Sequence, residues 1–235
     1  VWWRLNATRA SYDAVGLSYQ RVFGAHEFWR LGTAPMSHVS LLHLAFNTTS
    51  LWSLGFAEKL YGEMTYLKNT FLLALVPLLL MLAVTHVRHH HFGNGPCIRT
   101  VSVGYSCVVF GWMTIIAQQG APTLDVNLPT GTIHLPMNLA PFGSLIFTSL
   151  VVPQASFVGH LMGIAVGFAL AWGAFDWLSA YWTGCLMVWA LVGFLYSLKT
   201  TSDFALPFIV TGLEVESEMS DEGVGLVSAR GEENV

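Results

Sequence analysis

Long apolar stretches alternate with short polar connections along most of the chain. About 20 mostly apolar residues cross a bilayer as a helix, and shorter stretches can do so where other helices enclose them. On this basis the sequence predicts about six membrane-spanning helices, over residues 39–57, 65–86, 101–118, 139–153, 156–175 and 177–198. The pattern therefore predicts an all-α, polytopic membrane helix bundle.

Composition supports this prediction. The chain is 54% hydrophobic and 10% charged, with a mean hydropathy of +0.56, whereas soluble domains carry about 25% charged residues. Between Thr100 and Phe175, Asp125 is the only Asp, Glu, Lys or Arg. We expect an integral, multi-pass membrane protein of an endomembrane or organelle membrane.

Residues 201–235 differ from the rest of the chain. Eight of the 14 acidic residues lie at or after Asp203, among Gly, Ser and few large apolar side chains. Such a composition predicts a disordered, solvated tail, which could also recruit a soluble partner. The net charge of -4 comes mostly from this tail, so it does not indicate a nucleic acid partner.

Polar side chains interrupt the first apolar stretch. His43 and Asn47 are four residues apart and therefore share a helix face, and His38 precedes them near the membrane entry. A buried polar group without a partner costs several kcal/mol in hydrocarbon. These side chains are therefore predicted to face a polar cavity or one another, and a structural hydrogen-bond cluster is one interpretation.

Two further apolar stretches carry a serine and a histidine. Ser106 stands at the start of one predicted span and His160 lies within another. Alone, each is usually structural, but together they form a candidate nucleophile and general base. Gly163 and Gly167 follow His160 as a GxxxG pair, which lets another helix backbone approach closely.

In this order the motifs resemble those of the rhomboid intramembrane serine proteases, from about Glu27 to Trp172. Trp29-Arg30 comes first, then an HxxxxHxxxN pattern in the first span, and Gly55, Glu58 and Gly62 in the following connection. The last two are a GxS motif at Gly104–Ser106 and an HxxGxxxG motif from His160 to Gly167.

The resemblance implies a chemistry for these residues. Ser106 would be the nucleophile and His160 its base, as a dyad without an orienting acid. His43 and Asn47 would stabilise the oxyanion, while His38, Gly104, Gly163 and Gly167 would line or shape the site. No metal or cofactor is implied, and the substrates would be single-spanning membrane proteins surrounded by lipid.

The resemblance also implies a domain organisation. Residues 1–38 would form an N-terminal segment and a membrane-embedded loop, and 39–175 the catalytic membrane core. An additional C-terminal helix would cover 176–200, before the tail at 201–235. The family's first helix would then lie upstream of the sequence.

Two residues depart from the family pattern, which usually has glycine after the serine and alanine before the histidine. Here Cys107 and Gly159 occupy these positions. An inactive rhomboid-like protein that binds client transmembrane helices, for trafficking or quality control, is therefore the first alternative. The second is a histidine-rich metal transporter, since His86 and His89–His91 crowd one connection near Cys97.

Overall fold

The computed structural model describes residues 12–38, 40–93, 95–128, 131–153 and 155–202. Short 3-10 helices cover Tyr12–Ala14 and Gly95–Arg99, and a π-helix covers Gln20–Gly24. The α-helices are α1 (Arg30–Thr33), α2 (Leu41–Ser53), α3 (Phe56–Tyr61), α4 (Glu63–Phe92), α5 (Ser106–Ala117), α6 (Ala140–Val151), α7 (Phe157–Ala171) and α8 (Ala180–Thr201). The predicted helix bundle is confirmed, and each predicted span overlaps a helix.

Two predicted spans differ in detail from the observed helices. The first span divides at Leu54 and Gly55 into α2 and the short α3. The third begins at Ser106 rather than at residue 101, because Gly104 has a φ of 124°, which does not occur within a right-handed helix. The GxS motif therefore lies in a turn that leads into α5.

Serines and glycines set several helix ends. The side chains of Ser40, Ser156 and Ser179 accept hydrogen bonds from the third backbone N–H of α2, α7 and α8, which satisfies one of the free donors at each N-terminus. Gly62 separates α3 from α4 with a φ of 80°, and Gly93 ends α4 with a φ of 63°. These positive angles favour glycine.

Helix length and apolarity vary within the bundle. Within the described residues, α4 and α8 are long and apolar enough to cross a membrane by length and composition alone. At 1.5 Å per residue, α4 extends for about 45 Å. The apolar helices α5, α6 and α7 have 12, 12 and 15 residues, so we expect them to rely on their neighbours for enclosure.

The core forms where α5 packs between α4, α7 and α6. One cluster joins Leu73 of α4 to Trp112 of α5 and Val166 of α7. Another joins Phe110 of α5 to Leu145 of α6. Large apolar side chains on the outer faces are exposed, among them Phe147, Leu150, Trp182, Trp189 and Tyr196. An apolar outer surface of this kind suits contact with lipid.

Hydrogen bonds identify the two ends of the bundle. At the end that contains Ser106, Leu17 and Ser102 exchange two backbone hydrogen bonds and the Gly104 N–H donates to the Ala34 carbonyl. At the opposite end, the Gln119 side chain donates to the Tyr61 hydroxyl. The short loops on the Ser106 side therefore form one connected layer.

The connection between α5 and α6 contains a β-hairpin in place of the predicted loop. Strands β1 (Thr123–Leu128) and β2 (Gly131–Pro136) pair antiparallel, with Asp125 opposite His134. The Asp125 carboxylate and His134 Nδ1 are 2.6 Å apart on the exposed surface. The Gln118 side chain anchors the hairpin through two hydrogen bonds with the Asn138 backbone.

The predicted boundaries of the four segments remain predictions. Helix α8 begins within the predicted additional C-terminal helix at 176–200 and extends one residue beyond it, to Thr201. Residues 1–11 and the predicted tail from residue 203 onward lie outside the described residues.

Candidate functional site

Local backbone geometry places Ser106 at the first position of α5. Gly104, two residues earlier, adopts its positive φ directly against the His43 ring. A Cβ built on Gly104 would lie 2.6 Å from His43 Cε1, well inside contact distance. A side chain at position 104 would therefore be opposed both by backbone strain and by the imidazole.

His160 lies in the first turn of α7. Its backbone N–H donates to the Ser156 carbonyl at 3.1 Å, and its ring stacks on Phe110 with centroids 4.4 Å apart. The residue is 1% exposed. In the described part of the chain, neither ring nitrogen has a hydrogen-bond partner, so Ser106 and His160 are not hydrogen-bonded here.

Helix α2 presents His43 and Asn47 one turn apart, and both are buried. The two His43 ring nitrogens and Asn47 Nδ2 have no hydrogen-bond partner among the described residues. The His38 ring meets that of His43 edge-on, with centroids 5.3 Å apart. Burial lowers the pKa of the His38 imidazole below its ordinary value, which favours a neutral ring.

The four predicted reactive residues line one cavity of about 260 Å³. His43 and Asn47 come from α2, Ser106 from α5 and His160 from α7. A buried donor or acceptor without a partner costs about 1–3 kcal/mol. The unpartnered nitrogens at this cavity could bind and orient a polar group, such as a carbonyl whose oxygen gains negative charge during reaction.

Sequence reasoning missed other side chains of this cavity. Ser50 of α2 and Ser144 and Thr148 of α6 also line it, together with apolar side chains such as Phe46 and Phe147. Ser144 and Thr148 are spaced i, i+4 within an apolar stretch. That spacing is the signal that could have identified them, because it places both hydroxyls on one helix face.

Glycines bring α5 and α7 into direct backbone contact. A Cβ on Gly163 would lie 2.4 Å from the Cys107 carbonyl oxygen, and one on Gly167 would lie 2.6 Å from the Gly111 carbonyl oxygen. We call this contact between Cys107–Gly111 and Gly163–Gly167 the α5–α7 seam. It fixes the helix that begins with Ser106 against the helix that carries His160.

Cys107 and Gly159, the two departures from the family pattern, lie next to each other across the seam. A Cβ on Gly159 would lie 3.5 Å from Cys107 Sγ, an ordinary van der Waals distance. The residue after Ser106 is larger than the glycine of the family pattern, and the residue before His160 is smaller than the alanine of that pattern. Both remain buried.

The histidine-rich end of α4 does not form a metal site in the described residues. His86, His89 and His90 have rings in contact, and the Tyr19 hydroxyl lies 2.7 Å from His86 Nδ1. Over the described ranges, no group of three or more His, Cys, Asp or Glu could hold a metal ion. The metal-transporter alternative therefore has no structural support there.

Comparison with known proteins relates the chain to a single family. A family model described as the Rhomboid domain matches residues 25–177. The chain is 30% identical to Rhomboid-related protein 4 of Homo sapiens over 74% of this chain and 54% of the relative. It is 28% identical to Rhomboid-like protein 15 of Arabidopsis thaliana over 67% of this chain and 39% of the relative.

A third relative carries an activity in its name. Rhomboid-type serine protease 2 of Podospora anserina is 28% identical over 62% of this chain and 48% of its own length. The chain thus spans about half, or less, of the lengths of these relatives. No solved structure gives a significant match to the chain.

Proposed function

The chain belongs to the rhomboid family and is an integral membrane protein, and from this premise we propose that it is a multi-pass intramembrane serine endopeptidase. The observation that carries the proposal is the common cavity of Ser106, His160, His43 and Asn47. Its substrates are single-spanning membrane proteins. Cleavage releases a fragment from the membrane.

In the proposed reaction, Ser106 Oγ attacks the carbonyl carbon of the scissile peptide bond while the His160 imidazole takes the hydroxyl proton. The C–N bond then breaks, and the proton passes from His160 to the leaving amine. Water, activated by His160, hydrolyses the acyl-enzyme ester and regenerates Ser106. His160 needs one unprotonated ring nitrogen, and the apolar contact with Phe110 suits a neutral ring.

The remaining polar groups act on the oxyanion. A tetrahedral intermediate carries negative charge on the former carbonyl oxygen, which is stabilised by preorganised donors. His43 and Asn47 supply such donors, and their buried nitrogens are not committed to other protein groups in the described part of the chain. The α5–α7 seam keeps the nucleophile and the base on a fixed framework.

The substrate must be unwound at the cleaved bond. A helical peptide has its carbonyl groups bonded within the helix, and lipid offers no replacement hydrogen bonds. A polar cavity within an apolar bundle offers such bonds to an extended segment. We therefore propose substrates whose membrane helix contains small or helix-breaking residues near the site.

A binding protein without catalysis is the second candidate. It is favoured by Cys107 beside the nucleophile and by the missing hydrogen bond between Ser106 and His160. Catalytic hydrogen bonds are often long before substrate binds, so this observation is also compatible with the protease.

Cleavage of a single-spanning reporter in liposomes tests the protease proposal. The full-length wild type should give two fragments whose masses define one cut within the membrane segment. Ser106→Ala and His160→Ala should each lower cleavage at least a thousandfold. Ser149→Ala is the matched control, because the Ser149 hydroxyl donates to the Leu145 carbonyl of its own helix. Undiminished cleavage by Ser106→Ala, or binding of reporters without cleavage by the folded wild type, would contradict the proposal.

A further inference from the structure

Helix α8 lies outside the segment matched by the family model, yet it holds the loop layer on the Ser106 side. The Ser197 hydroxyl accepts a hydrogen bond from the Trp29 N–H at 3.1 Å and donates to the His26 carbonyl at 3.2 Å. Ser197 is 5% exposed. One side chain of α8 therefore satisfies two backbone groups that are about 170 residues earlier in the chain.

Phe194 makes a second contact with this region, one turn before Ser197. A Cβ built on Gly32 would lie 2.8 Å from two ring atoms of Phe194. The glycine thus allows the ring to lie directly on the backbone of α1. Helix α8 holds the chain both immediately before α1 and within it.

Other hydroxyls of α8 do not reach across in this way. Thr200 and Thr201 donate to carbonyls of their own helix, and Thr183 donates to the carbonyl of Ser179, the residue directly before the helix. Such back-bonding is the usual arrangement for hydroxyls in apolar helices. Ser197 is therefore a specific link between α8 and the His26–Trp29 backbone.

The loop held by α8 is internally fixed by a buried arginine. Arg30 is 3% exposed; its Nε donates to Glu27 Oε2 at 2.5 Å, and its Nη1 donates to the Asp13 and Gly16 carbonyls. Since charge-assisted hydrogen bonds are stronger than neutral ones, residues 13–34 should move together. We call residues 13–34 the clamp segment.

The clamp segment in turn fixes residues 102–104, which lead to Ser106. The Ala34 carbonyl accepts from the Gly104 N–H at 2.9 Å, and Leu17 exchanges two backbone hydrogen bonds with Ser102, both 2.9 Å. These bonds determine the course of residues 102–104, directly before Ser106. A continuous path of hydrogen bonds and packing thus runs from α8 to the candidate nucleophile.

We propose that α8 is a positioning element for Ser106, acting through Ser197, the clamp segment and Gly104. The inference rests on the proposed function, because its consequence is faster acylation of Ser106. Ser197 touches none of the four predicted reactive residues and acts on them only through the backbone. Loss of its hydroxyl should loosen residues 102–104 without unfolding the bundle.

Hydrogen exchange measures this coupling independently of activity. In the full-length protein in detergent, Ser197→Ala should speed amide exchange in peptides that cover 26–34 and 101–105. The same change should slow the phosphonylation of Ser106 by a fluorophosphonate, in which the serine Oγ displaces fluoride from phosphorus, about fivefold, as expected when roughly 1 kcal/mol of hydrogen bonding is lost. Ser197→Thr keeps the hydroxyl and should restore both the amide exchange rate and the labelling rate. A purely structural defect of the helix would not show this rescue.

Two further variants sharpen the design. Thr200→Ala, on the same helix, should leave the amide exchange rate and the labelling rate at the wild-type level. Gly32→Ala keeps Ser197 but displaces the Phe194 ring, so it should speed exchange in the same two regions.

The exchange result separates the two proposals. Faster exchange at 101–105 in Ser197→Ala, with an unlabelled wild type, would support the coupling and contradict the protease. Unchanged exchange at 101–105 in both Ser197→Ala and Gly32→Ala would overturn the inference. If the wild type is labelled, labelling of Ser197→Ala at the same rate would also overturn it.

Discussion

The two sides of the candidate site are built differently. At the α5–α7 seam, glycines place backbone against backbone, and a Cβ at Gly163 or Gly167 would overlap the facing helix. At the α2 and α6 side of the cavity, the lining side chains Phe46 and Phe147 are 39% and 62% exposed. The first side therefore has no space for an added methyl group, whereas the second side is exposed.

This difference suits the proposed chemistry. A nucleophile and a base must be held within about 0.5 Å of their working positions, and Ser106 and His160 closely precede the two helix segments that form the seam. The proposed function requires a substrate segment to enter between helices, and the exposed α2 and α6 side suits such entry.

Helix α6 should be sensitive only on its inner face. Leu145 is 2% exposed in the cluster with Phe110 and Phe168, whereas Leu150 is 76% exposed. Leu145→Ala should lower the free energy of unfolding by about 2–5 kcal/mol through the cavity it creates. In detergent, the melting temperature should fall strongly in Leu145→Ala and hardly at all in Leu150→Ala. Equal falls would show that α6 is packed on both faces.

The oxyanion groups should affect rate far more than stability. Asn47→Ala should slow fluorophosphonate labelling about a hundredfold or more, and the melting temperature should hardly change because Asn47 Nδ2 has no protein partner in the described residues. Thr48→Ala is the control, since its hydroxyl bonds within α2. A wild-type labelling rate in Asn47→Ala would remove Asn47 from the proposed site.

A single added methyl group at the α5–α7 seam should destabilise the protein. In Gly163→Ala the new Cβ would meet the Cys107 backbone at 2.4 Å, and overpacking of this kind costs about 1–3 kcal/mol. In Gly143→Ala, on α6, the new Cβ would meet nothing within 4 Å, so this change should leave the free energy of unfolding unchanged or raise it. Thermal unfolding of both variants decides the point. A stable Gly163→Ala protein would mean that the two helices can separate.

The smallest expected effect concerns Cys107 and Gly159. In Gly159→Ala the new Cβ would lie 3.3 Å from Ser156 Oγ and 3.5 Å from Cys107 Sγ. We therefore expect the free energy of unfolding to fall by less than about 1 kcal/mol. The same change should lower the stability less in a Cys107→Gly background, because the helix then has room to move the new Cβ away from Ser156 Oγ. A double-mutant cycle of labelling rates and melting temperatures measures this coupling. Additive effects would show that the two departures are independent.

Much of the fold could be predicted from sequence because lipid imposes a simple pattern. Each of the six predicted spans overlaps a helix, since an apolar stretch in a membrane must satisfy its own backbone. The start of α5 at Ser106 and the break at Gly55 depend on single residues, which a hydropathy window does not detect. The hairpin at 123–136 was missed because Pro, Gly and Asn there also fit an irregular loop.

The site was only partly accessible to sequence reasoning. The motifs around His43, Ser106 and His160 indicated which residues should meet, and the structure brings these residues to one cavity. The roles assigned to them stay predictions. No local pattern relates Ser197 to Trp29, because a hydrogen bond between distant segments leaves no periodic signal. The match between Cys107 and Gly159 likewise becomes visible only when the seam is seen in three dimensions.

Locating the fluorophosphonate adduct by mass spectrometry in the full-length protein tests the Ser106–His160 dyad. We expect one adduct, on Ser106, in the wild type, and none in a folded His160→Ala variant. Absence of any adduct on the folded wild type, or an adduct on Ser106 that persists undiminished in His160→Ala, would contradict the Ser106–His160 dyad.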